Sequence, residues 1–326
     1  MFFLRHSVES TQQEVDTRVI LHSVYSVQHE GVDRVIIRAN DIDIIVACIY
    51  YAATLLRDLP EMWVRTTQSS YLPIHEMASA LDPTQSRALP FIHSFSERDT
   101  TSYPFFTGKK TWLTRSKEVD IPALEDFGDP DESPPYTITA EVISQARDLL
   151  VAVYTRKDDD FKRSGLDELR VHKFLNNKST LLKLLPPTED AFLLHVNRAA
   201  LATLMDKTSR IARPELGPYE DYEWSQADDK LTPVPSKKPA WPEQMTKNIS
   251  CGCTKNYNRN CFCNITLHRL SLPRVSRQVQ PHTVCCLHST TRTLVQTVMD
   301  SDSHRNSCSL GLFFTAIFDI KHIMLK

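Results

Sequence analysis

Arg34-Val-Ile-Ile-Arg-Ala-Asn-Asp-Ile-Asp43 decides how this chain is read, because it ends a β-branched run with two carboxylates at i and i+2, just before a second apolar run begins. Val35, Ile36 and Ile37 read as a strand buried on both faces. Ile42 to Leu56 is longer and contains alanine, so it reads as the following helix. That puts Asp41 and Asp43 at the C-terminal end of a strand, the edge where open α/β sheets bind ligands. The same residues also allow a plainer account, in which Asp43 caps the helix and Asp41 is a solvated turn residue.

Working outward, the apolar positions between Ser10 and His29 recur at helical spacing and Gly31 supplies a stop, so a helix precedes the anchor strand. After it come a strand at Met62–Thr67, an extended piece at Tyr71–Ile74 and a helix at His75–Leu81. Pro83 opens another helix, kinked at Pro90. This alternation predicts a parallel α/β layer structure. Helices are expected again over Ala140–Tyr154, Glu168–Leu185 and Thr188–Lys207. The chain thus divides into an α/β domain over 1–119, a Pro- and Asp-rich linker over 120–135, a helical unit over 136–212 and an extended Pro-rich segment over 213–250. A cysteine motif at 251–263 and a basic tail at 264–326 without fixed structure complete it.

Charge separates these parts. Residues 1–128 carry 12 Lys and Arg against 17 Asp and Glu, whereas residues 247–326 carry 10 against 3. A basic appendage on an acidic body suits a polyanion partner, and it equally suits a merely solvated tail. Seven of the eight cysteines lie in that tail. Nothing in the first residues has the form of a secretory signal, so the thiols are expected to be reduced and the chain intracellular, the nucleus included. Leu310–Ile320 is too short to span a bilayer, and no membrane association is expected.

Further carboxylates join the anchor pair. Glu14-Val15-Asp16 opens the first helix, and Asp99 follows the Pro90 segment at another element junction. Two carboxylates about 4 Å apart repel by roughly 4 kcal/mol at an effective dielectric near 20, so several converge only with cations or protons among them. An all-oxygen set selects Mg²⁺ or Mn²⁺.

The order Glu14-x-Asp16 on a helix, Asp41-x-Asp43 after a strand, then Asp99 followed by Gly108-Lys109-Lys110-Thr111 resembles the flap-endonuclease group of PIN-like nucleases. The resemblance implies a parallel sheet with flanking helices, its first strand missing, and a metal-dependent hydrolysis of phosphodiesters. Asp41, Asp43 and Asp99 would be the catalytic ligands of Mg²⁺ or Mn²⁺, Glu14 and Asp16 would support them, and Lys109 and Lys110 would contact nucleic-acid phosphates. More closely, Glu-Val-Asp-Thr-Arg-Val-Ile-Leu-His, Tyr-Leu-Pro-Ile-His-Glu and Arg-Ala-Leu-Pro-Phe-Ile-His look like a group of uncharacterised, often multicopy and transposon-like animal proteins. Glu97-Arg98 stands where the nuclease family has a Gly-Cys turn, only Gly108 remains of its Gly-rich phosphate clamp, and thirteen residues before Glu14 leave no room for its first Asp-bearing strand. Weak activity or none is therefore expected, and a non-catalytic nucleic-acid or chromatin-binding protein is the rival expectation.

Cys251-Gly-Cys253 and Cys261-Phe-Cys263, with Lys255 and Arg259 between them, are similar to the start of the tesmin-like CXC domain. That implies a Zn²⁺ site on the four thiolates and DNA contacts from the two basic residues. Chance clustering is the competing account.

Overall fold

The computed structural model describes residues 8–102, 104, 107–129, 134–155, 165–176, 182–227 and 230–238. Cys251, Cys253, Lys255, Arg259, Cys261, Cys263 and the basic tail lie outside the described residues, and the expected Zn²⁺ site lies there with them. The described residues form a mixed α/β structure of helices around two small sheets.

Helix α1 (Val15–Glu30) ends where Gly31 takes a left-handed φ of 65° and returns its N–H to the carbonyl of Ser26. Strand β1 (Arg34–Arg38) follows and then α2 (Ile42–Thr54). Asp41 is the N-cap of α2, its side chain accepting from the N–H of Asp43 at 3.0 Å. The capping role thus falls to Asp41 rather than Asp43. Every residue from Ile44 to Ala52 is buried, which is why this run reads as continuously apolar rather than as a stripe. Strand β2 (Glu61–Arg65) pairs parallel with β1, and β3 (Tyr71–Pro73) pairs antiparallel with β2.

The extended parallel sheet expected from the alternation is thus reduced to one parallel pair with an antiparallel neighbour. The cause is local: Thr66 to Ser70 is too short for a crossover, and the Ser70 carbonyl accepts from the Thr66 N–H in a tight turn that sends β3 back along β2. Nor is β1 buried on both faces. Ile37 is 6% exposed but Ile36 is 55% exposed, because among the described residues helices cover one side of this sheet only.

Helices α3 (Ile74–Ala80) and α4 (Pro83–Ser96) come next. Asp82 caps α4 by accepting from the Gln85 N–H at 2.8 Å, and Pro90 sits inside it as expected. Beyond α5 (Lys109–Ser116), the stretch read as a linker contains α6 (Pro122–Asp126). Leu124 and the two cap residues, Ile121 and Phe127, are buried in the main core, three residues apart along this short helix. Their acidic and prolyl neighbours hid them. Helix α7 (Ala140–Tyr154) matches the expected bounds; α8 (Leu166–Asn176) starts two residues before the expected helix, and Leu182–Leu184 of that expected span form a 3-10 turn. Helix α9 (Glu189–Lys207) is capped by Thr188, whose hydroxyl accepts from the Ala191 N–H at 3.3 Å.

The helical unit does not stand apart. One hydrophobic cluster runs from Ile20 in α1 to Leu204 in α9 and Tyr222 beyond it. Phe95 of α4 lies within 5.2 Å of Trp112 and 6.2 Å of Phe192, ring centre to ring centre, and the Tyr51 hydroxyl of α2 donates to the Lys207 carbonyl at 2.8 Å. The Pro-rich segment is only partly extended: β4 (Trp224–Ala227) and β5 (Lys230–Pro233) form an antiparallel hairpin, with Arg198 of α9 placed 5.8 Å from the Trp224 ring centre. No helix among the described residues is long and apolar enough to cross a membrane.

Lys207 illustrates how tightly this core is closed. Its Nζ donates to the Glu125 carbonyl at 2.5 Å, and burial pushes its pKa down from 10.5 to about 7. Above that value the native state is neutral here while the unfolded chain still binds the proton, so stability should rise with pH between about 7 and 10.5. Urea midpoints of the parent and Lys207→Met chains across that range should show the parent gaining on the variant as pH rises; parallel curves would contradict the burial.

Candidate metal centre

The N-termini of α1 and α2 meet at the C-terminal end of β1, and each brings acid with it. Asp16 sits in the first turn of α1, Asp41 caps α2 and Asp43 sits in its first turn. One oxygen from each lies within 4.8 Å of the others. Two helix N-termini account for part of this convergence, because each favours negative charge over its first turn. The remainder shows in Asp16: burial first, then the charges of Asp41 and Asp43, push its pKa from 3.8 to about 6. Exposed Glu14 adds a smaller push in the same direction.

The cluster is not left to a cation from outside. His93 of α4 brings Nε2 to 2.6 Å from Asp43 Oδ1, and Arg98 brings Nε to 2.8 Å from Asp43 Oδ2. Both oxygens of Asp43 are thereby engaged. Arg98 also donates through Nη1 to Asp206 of α9 at 2.8 Å, so one guanidinium bridges the α2 and α9 carboxylates. Its position follows from the helix end: Glu97 is extended, with φ at 176°, and the Arg98 N–H is held by the Thr101 hydroxyl at 2.9 Å, which itself donates to the Ser94 carbonyl.

Lys109, the first residue of α5, sits behind the imidazole. Its ammonium donates to His93 Nδ1 at 2.9 Å, to the Ser96 hydroxyl at 3.2 Å and to the Glu97 carbonyl at 2.6 Å. An ammonium has no lone pair, so Nδ1 is the acceptor and the imidazole proton is on Nε2, donated to Asp43. Burial and the neighbouring Lys109 lower the His93 pKa to about 4, so the ring is neutral at pH 7. Burial lowers that of Lys109 to about 8. Asp43 is held well below the usual carboxylate range: burial opposes its charge, but the His93 hydrogen bond and the positive charges of Arg98 and Lys109 outweigh it. Burial raises Asp206 to about 7, with Arg98 pulling the other way.

Of the residues singled out in the sequence, Asp16, Asp41 and Asp43 come together, with Glu14 at the margin. Asp99 does not join them: it is exposed in the turn after α4, and its neighbour Arg98 reaches the site instead. Lys109 is spent on protein acceptors, whereas Lys110 is exposed. His93, Arg98 and Asp206 were missed. Arg98 stood out as a departure from a family pattern, but nothing in its spacing said that it would turn inward, and the sequence offers no signal that joins Asp206 to residues more than a hundred positions earlier.

The donor set fits one hard cation. An octahedral ion with oxygens at about 2.1 Å holds its ligands about 3–4 Å apart, a spacing compatible with oxygens that all lie within 4.8 Å of one another. Asp43 could offer only lone pairs that His93 and Arg98 leave over. Because Asp16 must shed its proton to serve, Mn²⁺ uptake should strengthen as pH rises through about 6 and level off above. Calorimetry across that range would detect it, and a flat profile would remove Asp16 from the set. Compared with known proteins, the chain matches no family model, no curated protein and no solved structure.

Proposed function

We propose that this chain is a nuclease-like protein of divergent PIN type that binds Mg²⁺ or Mn²⁺ and acts slowly on nucleic acid. The observation that carries it is the convergence of Asp16, Asp41 and Asp43 at the C-terminal end of a parallel strand. When bound there, the cation would supply Lewis acidity toward a phosphoryl oxygen and lower the pKa of an attacking water. Asp16 and Asp41 would hold it, and Asp43, fixed by His93 and Arg98, would set the third direction. Lys109 acts through His93 by keeping the proton on Nε2. With Lys109 spent, Lys110 is the basic residue of this segment left to meet a phosphate.

The same geometry argues for slow chemistry. Arg98 already neutralises Asp43, so the cluster presents less net negative charge to a divalent ion than three free carboxylates would. A second reading, a non-catalytic nucleic-acid or chromatin-binding protein or the inert product of a mobile-element gene, is favoured by that same internal cation.

Asp41→Asn tests the proposal with little collateral damage, because asparagine caps a helix about as well as aspartate. The parent should bind Mn²⁺ weakly and cleave labelled oligonucleotides slowly; the variant should lose at least about tenfold in Mn²⁺ affinity and all cleavage. Unchanged Mn²⁺ binding in the variant would overturn the metal site. Mn²⁺ binding without cleavage in the parent would select the non-catalytic reading.

A further inference from the structure

The face of the first sheet that the described residues leave open is unlike the acidic body around it. Side chains alternate along strands, so Arg34, Ile36 and Arg38 of β1 share one face. The register sets Ile36 beside Trp63, Arg38 beside Arg65, and Arg65 in turn beside Tyr71 of β3. Ile36 is 55% and Tyr71 43% exposed, Trp63 is half-buried, and Arg34 and Arg38 are exposed. Three arginines and the Tyr71 ring thus stand on one open surface, with Trp63 beside them, its ring centre 5.1 Å from that of His75 and its indole N–H donated to Glu61 at 3.0 Å.

We infer that this face is a stacking platform for single-stranded nucleic acid, leading the strand toward the carboxylates at the end of β1. The inference rests on the nucleic-acid reading above but not on its metal. Charge decides the class of partner. Residues 1–128 carry an excess of acid, yet this face bears three arginines against the single carboxylate of Glu61, which Arg34 engages at 2.7 Å. Arg38 pairs with no carboxylate among the described residues. Arg65 is fixed by donating to the carbonyls of Thr67 and Gln68, and its guanidinium lies 5.6 Å from the Tyr71 ring centre. A base stacked on Tyr71 would therefore meet a held cation beside it, the pairing of π-face and positive charge that sequence-tolerant single-strand binders use.

Unpaired bases are required, because a duplex keeps its π-faces inside the stack. The polarity of the sheet gives direction. Arg38 and Arg65 lie at the C-terminal end of the parallel pair, and Asp41 follows Arg38 by three residues, no more than about 10 Å along the chain. A phosphate held by Arg38 would be one short step from Asp41.

The test uses the full chain in EDTA, so that binding is read without cleavage. Fluorescence anisotropy with labelled oligothymidylate and with a duplex of equal length would be joined to photocrosslinking of a 4-thiothymidine oligomer, mapped by mass spectrometry. Parent crosslinks should fall on the peptide holding Trp63 and Tyr71. The double substitution Arg38→Glu, Tyr71→Ala, both at exposed positions, should weaken oligothymidylate binding about tenfold or more and abolish that crosslink. Parent and variant should have the same circular dichroism, which separates loss of the surface from loss of the fold. Unaltered single-strand affinity, or crosslinks confined to residues 247–326, would overturn the proposal and leave the face to a protein partner or another segment of this chain. If the parent cleaves in Mn²⁺ while the double variant binds single strands as the parent does, the platform falls and the nuclease-like reading stands; a parent with neither binding nor cleavage removes both.

Discussion

Arg98→Met should lower the stability of this protein by about 3–5 kcal/mol and, at the same time, raise its affinity for Mn²⁺. The loss arises because the guanidinium is 10% exposed and bridges two carboxylates that are 16% and 4% exposed. Methionine keeps much of the apolar stem but leaves Asp43 with His93 alone and Asp206 with no cation. Asp206 can relieve part of the cost by taking up a proton, since burial already pushes its pKa to about 7. The deficit should therefore be smaller in mild acid than at alkaline pH. For a chain of this size, each kcal/mol moves the thermal midpoint by about 2–4 °C, so a fall near 10 °C is expected. The gain in Mn²⁺ affinity, on the order of tenfold, follows from removing a fixed positive charge at hydrogen-bond distance from one of three carboxylates. Saturating Mn²⁺ should then stabilise the variant more than the parent, in a melt that measures both effects. An unchanged midpoint would mean that the bridge is solvated. Weakened Mn²⁺ binding would mean that Arg98 holds the ligand geometry rather than competing with the ion.

Phe95→Ala should cost about 3–5 kcal/mol and lower one transition, not one of two. Phe95 is fully buried in α4, and its ring centre lies 5.6 Å from Phe91, 5.2 Å from Trp112, 6.2 Å from Phe192 and 4.8 Å from His195. Those partners belong to α4, α5 and α9, so the ring fastens the C-terminal helices to the N-terminal α/β layer. Truncation leaves a cavity at their junction that three rigid elements cannot close together. Calorimetry or denaturant titration followed at two probes should give coincident curves in parent and variant. Two separated transitions would show that the helical region folds by itself, as a composition-based linker at 120–135 suggests, and that the shared cluster is only an interface.

Much of the local structure was legible in the sequence because it is set by local causes. The apolar spacing of α1 and its Gly31 stop, the uninterrupted apolar run of α2, Pro83 at the start of α4 and Thr188 before α9 each act within a few residues, and each gave an element close to its observed bounds. That Asp16, Asp41 and Asp43 would meet was expected only through the family resemblance, which also drew in Asp99, and Asp99 does not join them.

What depends on which surfaces are covered was not legible. Ile36 and Ile37 are the same residue type side by side, yet one faces solvent and the other the core. Periodicity cannot say that a sheet has helices on one side only. Ile121, Leu124 and Phe127 read as linker because acidic residues and prolines surround them, and only packing against α4 and α7 turns them into core. The inward turn of Arg98 is the clearest case. Its direction is matched by Asp206, more than a hundred residues away, because a carboxylate on each side offsets the cost of taking a guanidinium out of water. Sequence by itself determined the elements and placed carboxylates at their ends; the tertiary structure alone decided which of these meet and that the cluster carries its own cation.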